Sequence, residues 1–264
     1  MLSAYPISRK VNMVELNHVS HSQLDMYLGC PRKWAMKYVY KKPERPSDNL
    51  ILGSCYHSAL EHNFTQKIKS HVDLSISDVE ASYVDAVKLA IVAAKNKLST
   101  YEPSIDIEDI GLGLVRAYMI QVAPSVQPIE VELQVNSIIG DTNIIFKIDL
   151  IDENLTLIDH KTSAKKYTQD KADNDNQLTA YAYSQGSDCN CAFHVALKHK
   201  SPSIQVLPTT RSIEQILWWR AMAIGIINSM RAGIEYPNTS GWLCSPEYCD
   251  FWDDCMPTKR TIQV

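Results

Sequence analysis

One stretch, FKIDLIDENLTLIDHKT (residues 146–162), does most to limit what this chain can become. Apolar residues dominate on both sides of the triplet Asp152-Glu153-Asn154, whose residue types favour a turn, so the segment reads as a β-hairpin. With the turn centred near Asn154, Asp149 and Asp159 fall opposite each other. Like charges opposed across paired strands cost roughly 0.2–1 kcal/mol, and more when buried. Both aspartates sit among Ile and Leu, so burial is expected. A buried carboxylate pair calls for a proton or a cation between its members. Oxygen ligands favour Mg²⁺ or Mn²⁺. Asp159 and Lys161 are two apart and share a strand face. An ammonium there can orient water or stabilise a phosphate under attack. Taken alone, the hairpin also fits a polar edge strand with a surface ion pair.

Two helical pairs are candidates to complete such a site. His57 and Glu61, in GSCYHSALE, lie four apart and project from one helix face. The imidazole can complete a metal shell begun by Asp149 and Asp159. Gln177 and Tyr181, in QLTAY, repeat the spacing and can hold a phosphate or a water. Each pair by itself also fits the polar face of an amphipathic helix. Glu130 and Glu132 alternate with apolar residues in the strand before the hairpin; either can support the site from outside, although solvent exposure is the simpler expectation.

The remaining chain supplies a scaffold. Short helices are expected after Ser20-His21-Ser22 and from Pro31, a loop at 43–49, and a helix from Gly53-Ser54. Helical spacing continues at 77–99 and 106–121, β-type alternation at 129–137, 142–151 and 155–161, and helical spacing again at 174–185. Two strands at 191–199 and 203–208 and a long helix at 211–231 follow. The expected class is α/β, a central mixed sheet flanked by helices, in one domain over 1–264 with a helical insertion at about 60–125.

Composition narrows the setting. No apolar run suggests a membrane span, and the N-terminal stretch lacks the apolar core of a signal peptide, so a cytoplasmic protein is expected, bacterial or, if phage-encoded, in the host cytoplasm. A net charge of −4 argues against broad electrostatic binding of nucleic acid. Basic residues nevertheless gather at Arg32, Lys33, Lys37, Lys41 and Lys42, and at Lys161, Lys165, Lys166 and Lys171; such runs are most often solvated faces.

Seven cysteines in such a chain are not a disulfide framework. Cys55, Cys189 and Cys191 read as small residues within regular elements. Cys30, Cys244, Cys249 and Cys255 stand among turn residues and aromatics. Their spacing departs from the paired CxxC knuckles of zinc ribbons. A four-thiolate iron–sulfur cluster accommodates it better, with zinc and unrelated free thiols as alternatives. Such a cluster would close a very long loop, a constraint worth roughly 5 kcal/mol at most.

In their order along the chain, these pieces resemble the RecB-like branch of the PD-(D/E)XK nuclease superfamily, the group that includes the CRISPR-associated exonucleases and the AddB nuclease domain. SHSQLDMYLGCPRKWAMKY looks like the family's opening, GSCYHSALE its GxxxHxxLE motif, FKIDLI the strand of the first acidic ligand, IDHKT the D-x-K motif and QLTAY the Q-x-x-x-Y motif. The resemblance implies a restriction-endonuclease-like core. It implies that His57, Asp149 and Asp159 ligate Mg²⁺ or Mn²⁺, with Lys161 catalytic. Gln177 and Tyr181 would position the scissile strand, and Glu61 would act from behind the ligands. It further implies a [4Fe–4S] cluster on Cys30, Cys244, Cys249 and Cys255, stapling the N-terminal part to a subdomain at 236–257. The gap in CSPEYC is longer than the family's CxxC. The implied activity is a DNA exonuclease working on single-stranded ends, alone or with helicase, recombination or CRISPR partners. A DNA-end-binding or assembly protein and an endonuclease on the same fold are the alternatives. No GxxxxGK[ST] phosphate loop is present, so no motor is expected in the chain.

Overall fold

The computed structural model describes residues 14–256. The expectation about the extreme N-terminus falls largely on residues outside this range. The described chain divides into two compact units. One contains residues 45–136 and 146–219; the other contains the N-terminal part to Glu44, Ser137–Ile145 and the part from Arg220 onward.

In the second of these, strand β1 (Val19–Ser20) runs into α1 (His21–Gly29). Ser20 caps α1 by accepting from the Gln23 amide, as its residue type predicts. Pro31 opens α2 (Pro31–Trp34), which passes into a π-helical turn over Ala35–Val39. β1 pairs in parallel with the residues Ile144 and Ile145.

The larger unit begins with α3 (Asp48–Ser70), followed by α4 (Ile76–Lys97) and α5 (Ile107–Gln121). α3 starts five residues before Gly53, inside the expected loop. The reason is tertiary. The Asp48 carboxylate accepts from Tyr101 Oη at 2.6 Å and from the Ser104 amide at 2.7 Å, which pins the first turn. Along α3 the buried residues are Leu52, Cys55, Tyr56, Ala59, Leu60, Asn63, Phe64 and Lys67, a stripe at helical spacing. His57 is the neighbour of that stripe and therefore stands at its rim, with 28% of its side chain exposed.

β2 (Pro128–Ile139) and β3 (Thr142–Asp152) come next, and β2 pairs with β3. β3 pairs antiparallel with β4 (Leu157–Ser163) in the register Leu150↔Ile158 and Ile151↔Leu157. One step further along that register Asp149 stands opposite Asp159, as a turn centred at Asn154 requires. α6 (Gln169–Asp173) and α7 (Asn176–Gln185) then cross to β5 (Cys189–Leu197), which is parallel to β4. A parallel neighbour needs such a crossover. β6 (Ser203–Arg211) returns antiparallel to β5, and α8 (Ile213–Arg231) and the short α9 (Trp252–Cys255) complete the described chain. The result is the expected α/β arrangement of a mixed sheet with flanking helices.

One close contact fixes the packing of α4 on α5. Tyr83 is fully buried and donates its hydroxyl to the Ile107 carbonyl at 2.6 Å. Its ring lies where a β-carbon on Gly111 would stand, so only glycine fits there. Gly111→Ala is expected to destabilise the protein by about 2–3 kcal/mol in urea unfolding, through overpacking and loss of a buried hydrogen bond. The loss should shrink in a Tyr83→Leu background, and an additive pair of losses would contradict the contact.

Candidate active site

β4 divides its side chains between two environments. Asp159 and Lys161 face one side, and His160 faces the other. Asp159 is fully buried and Asp149 is 8% exposed. Lys161 Nζ lies 2.7 Å from Asp159 Oδ2 and donates to Gln177 Oε1 at 2.8 Å. Gln177 Nε2 donates to the Tyr181 hydroxyl at 2.7 Å, and that hydroxyl donates to Asp159 Oδ1 at 3.2 Å. These side chains form a closed ring. It exists because Asp175 caps α7, accepting from the Gln177 and Leu178 amides, and so aims one face of that helix at β4. The contact of Asp159 Oδ2 with Lys161 is an ion pair; that oxygen has no directed hydrogen bond.

Asp149 faces different partners. Its Oδ2 accepts from the His160 backbone amide at 2.8 Å and lies 3.5 Å from His57 Nδ1. His57 Nδ1 is also 3.9 Å from Glu132 Oε1, and Glu132 Oε2 pairs with Lys147 Nζ at 2.5 Å. The ligand atoms of His57, Glu132 and Asp149 lie within 4.8 Å of one another, and this is the group of that kind among the described residues. Asp159 is not in it but neighbours it across the hairpin. Glu61 is exposed and outside the group; its tie is electrostatic, to Lys147.

Glu132 enters through a backbone irregularity. Its φ is +50°, in a region that residues other than glycine rarely adopt. Within β2 this breaks the alternation, so Val131 packs on the core while the next side chain, Glu132, is 11% exposed. Regular alternation places Glu132 on the same face as exposed Glu130, so the pattern of residues offers no reason to prefer it. Strain of this kind concentrates at functional sites.

The electrostatics separate the two aspartates. Burial works against ionisation of Asp149, yet the hydrogen bond and charge of His57 hold its pKa down to about 2. Burial pushes Asp159 up to about 6, with Lys161 opposing and Asp149 adding to the rise. Burial disfavours the charged His57, but Asp149 outweighs it and raises the imidazole pKa. Two carboxylate oxygens and an imidazole nitrogen, beside a buried carboxylate oxygen lacking a hydrogen bond, form a donor set that fits a hard divalent cation such as Mg²⁺ or Mn²⁺.

The family model of the PD-(D/E)XK nuclease superfamily matches residues 18–256. The chain belongs to this superfamily. No curated protein matches it. A PD-(D/E)XK nuclease site is consistent with the His57–Glu132–Asp149 group and the neighbouring Asp-x-Lys pair. Among solved structures, a candidate exonuclease from Eubacterium rectale is similar over 93% of this chain and 91% of its own, with 13% identity and a TM-score of 0.52, a likeness of fold alone. The protein SSO0001 aligns over 91% of this chain and 94% of its own at 13% identity, with a TM-score of 0.35.

The iron–sulfur expectation is corrected. No cysteine takes part in a compact ligand group among the described residues. Cys30 Sγ instead accepts the Lys33 and Asn238 amides, each at 3.4 Å, acting as a helix cap. Burial, with Cys30 and Cys249 adding to it, raises the Cys244 and Cys255 thiols. The stapling assigned to a [4Fe–4S] cluster on Cys30, Cys244, Cys249 and Cys255 is performed by other groups. Tyr27 Oη donates to the Ile234 carbonyl at 2.5 Å, the Arg32 amide to the Tyr236 carbonyl at 3.0 Å, and Arg32 pairs with Glu235 at 2.5 Å.

Behind the site, on the other face of β4, lies a network the sequence did not announce. The Tyr118 hydroxyl bridges His160 Nε2 at 2.9 Å and His194 Nδ1 at 2.8 Å, and His160 stacks on Phe64. Burial lowers the pKa of His160, and that of His194 falls to about 4, so both rings are neutral near pH 7. The unfolded chain binds a proton at His194 from about 6.5 downward and the folded chain does not, so this contribution to stability is present above pH 6.5 and lost as pH falls towards 4. His194→Asn, which can keep a hydrogen bond to Tyr118, is expected to remove about 2–3 kcal/mol of the difference in unfolding free energy between pH 7 and pH 4. An unchanged pH slope would contradict a neutral buried His194.

Proposed function

We propose that this chain is a Mg²⁺- or Mn²⁺-dependent deoxyribonuclease of the RecB-like branch, acting as an exonuclease on single-stranded ends. The observation that carries the reading is the junction of two constellations on one hairpin: the His57–Glu132–Asp149 group and the Asp159–Lys161–Gln177–Tyr181 ring. The ordered series of motifs supports the choice of branch.

His57, Glu132, Asp149 and Asp159 are the residues that would hold the cation. A cation there would supply Lewis acidity at the scissile phosphate and a more acidic water. The chain's own groups do the rest. Lys161, at 2.7 Å from Asp159, directs a fixed positive charge to where negative charge develops on the phosphate. Gln177 fixes that ammonium through its carbonyl oxygen and holds Tyr181 through its amide. The Asp149 carboxylate is oriented by the His160 amide and His57. Lys147, 62% exposed and paired with Glu132, offers a second cation towards the DNA backbone. Helicase, recombination or CRISPR partners would deliver DNA to such a module.

End-labelled linear single-stranded DNA with Mn²⁺ or Mg²⁺ tests the reading. Wild type is expected to shorten it, a chelator to stop the reaction, and Asp159→Ala to reduce it to background. Lys161→Ala, folded as judged by circular dichroism, is expected to lose about 10²–10³ in rate, the scale of removing one transition-state charge partner. Wild-type activity in Asp159→Ala would overturn the assignment. Retained DNA affinity without cleavage in either metal would favour a binding protein, and cleavage of closed circular single-stranded DNA would mark an endonuclease.

A further inference from the structure

A second pair of reactive side chains lies away from the hairpin. Cys189 and Cys191 are two apart on β5 and share a face, and their sulfurs are 3.8 Å apart. Cys191 is buried and Cys189 half-buried. Among the described residues the pairing of β5 with β4 begins at Cys191, whereas Cys189 pairs with Arg211 of β6. An open cavity of about 580 Å³ is lined in part by Cys191, Asn190 and Thr209.

Arg211 makes this place electropositive. It is 1% exposed, and its donors go to Thr179 Oγ1, Thr209 Oγ1 and the carbonyls of Thr210, Ala172 and Asp175. Every one of these partners is neutral. The carboxylates of Asp173 and Asp175 act on Arg211 through charge without a hydrogen bond to it, as do the two thiols. A buried guanidinium to which no carboxylate is hydrogen-bonded still favours an anion that forms nearby, and a thiolate is the anion this pair can produce. The Cys191 thiol most of all, and Arg211 against the opposing effects of burial and Asp188, hold the Cys189 thiol below its ordinary range. The same positive charge opposes a bound metal cation, and neither cysteine has a third ligand in a compact group among the described residues.

We propose that Cys189 and Cys191 form a redox-active dithiol, a modification site at which a hydroperoxide converts the pair into an intrastrand disulfide. The Cys189 thiolate attacks one peroxide oxygen. The O–O bond breaks, and the departing oxygen takes up a proton to leave as water or alcohol. The Cys191 thiol then attacks the resulting sulfenic sulfur; the S–S bond forms as hydroxide leaves and takes the Cys191 proton as water. Two sulfurs are oxidised by two electrons in total, and the peroxide is reduced by two. A bridge between residues two apart on a strand is strained and therefore easily reduced again. The change reaches α7. Cys191 Sγ lies 3.9 Å from the Leu178 carbonyl, and Arg211 holds Thr179 and the Asp175 carbonyl on the same helix.

The test treats the reduced full-length protein with stoichiometric hydrogen peroxide, alkylates the remaining thiols after denaturation and identifies the products by peptide mass spectrometry. A Cys189–Cys191 bridge is expected before any other cysteine reacts, and dithiothreitol should reverse it. Cys191→Ser should stop at a sulfenic acid on Cys189 that dimedone captures, and Cys189→Ser should give neither product. Oxidation spread evenly over the cysteines, or starting at Cys244, Cys249 or Cys255, would overturn the proposal. So would a Cys189 that remains reduced and unlabelled in Cys191→Ser. The wild-type comparison stands without either variant. In the oxidised protein the α7 amides should exchange faster with deuterium; unchanged exchange would overturn the link to α7.

Discussion

The burial of two carboxylates on one hairpin is the constraint around which the larger unit is arranged. Removing an ionised group from water costs several kcal/mol, and an opposed like charge adds to that. The structure offsets this differently on the two strands. Asp149 receives a backbone amide and an imidazole; Asp159 receives an ammonium and a phenol. Their pKa values separate in consequence, one falling to about 2 and the other rising to about 6.

Each supporting group comes from a different element, so the site is a test of the whole packing. α3 brings His57 because its buried stripe runs along the adjacent positions. α7 brings Gln177 and Tyr181 because the parallel β4–β5 pair requires a crossover between Lys161 and Cys189. β2 brings Glu132 only because its backbone turns into a positive φ. On the reverse of β4, Tyr118 satisfies two imidazoles with one hydroxyl, keeping His160 fixed while its amide holds Asp149. The face of the candidate site and the face that supports it are thus two sides of a single strand.

The cysteines show how spacing alone misleads. Cys30 and the three C-terminal cysteines are framed by turns and aromatics, a setting that suits a metal, but Cys30 caps a helix and the segments are joined by hydrogen bonds and an ion pair. Cys189 and Cys191 look like ordinary strand residues, yet they share a face beside a buried guanidinium. Chemical reactivity follows from the neighbours of a sulfur, and those neighbours come from β6 and α7.

The sequence by itself determined the hairpin and, for a turn centred near Asn154, the opposition of Asp149 to Asp159, because a turn and a two-residue period are local properties; the pairing of β3 with β4 decided the register. It also determined the helical faces of His57, Gln177 and Tyr181, which follow from the four-residue spacing. The start of α3 at Asp48 was decided by tertiary contacts with Tyr101 and Ser104. So was the entry of Glu132, which regular alternation assigns to the wrong face. The Tyr118–His160–His194 bridge and the setting of Cys189 beside Arg211 were likewise decided by the fold. The physical reason is common to all of these: periodicity fixes which way a side chain points, but only the packing of distant segments fixes what it meets.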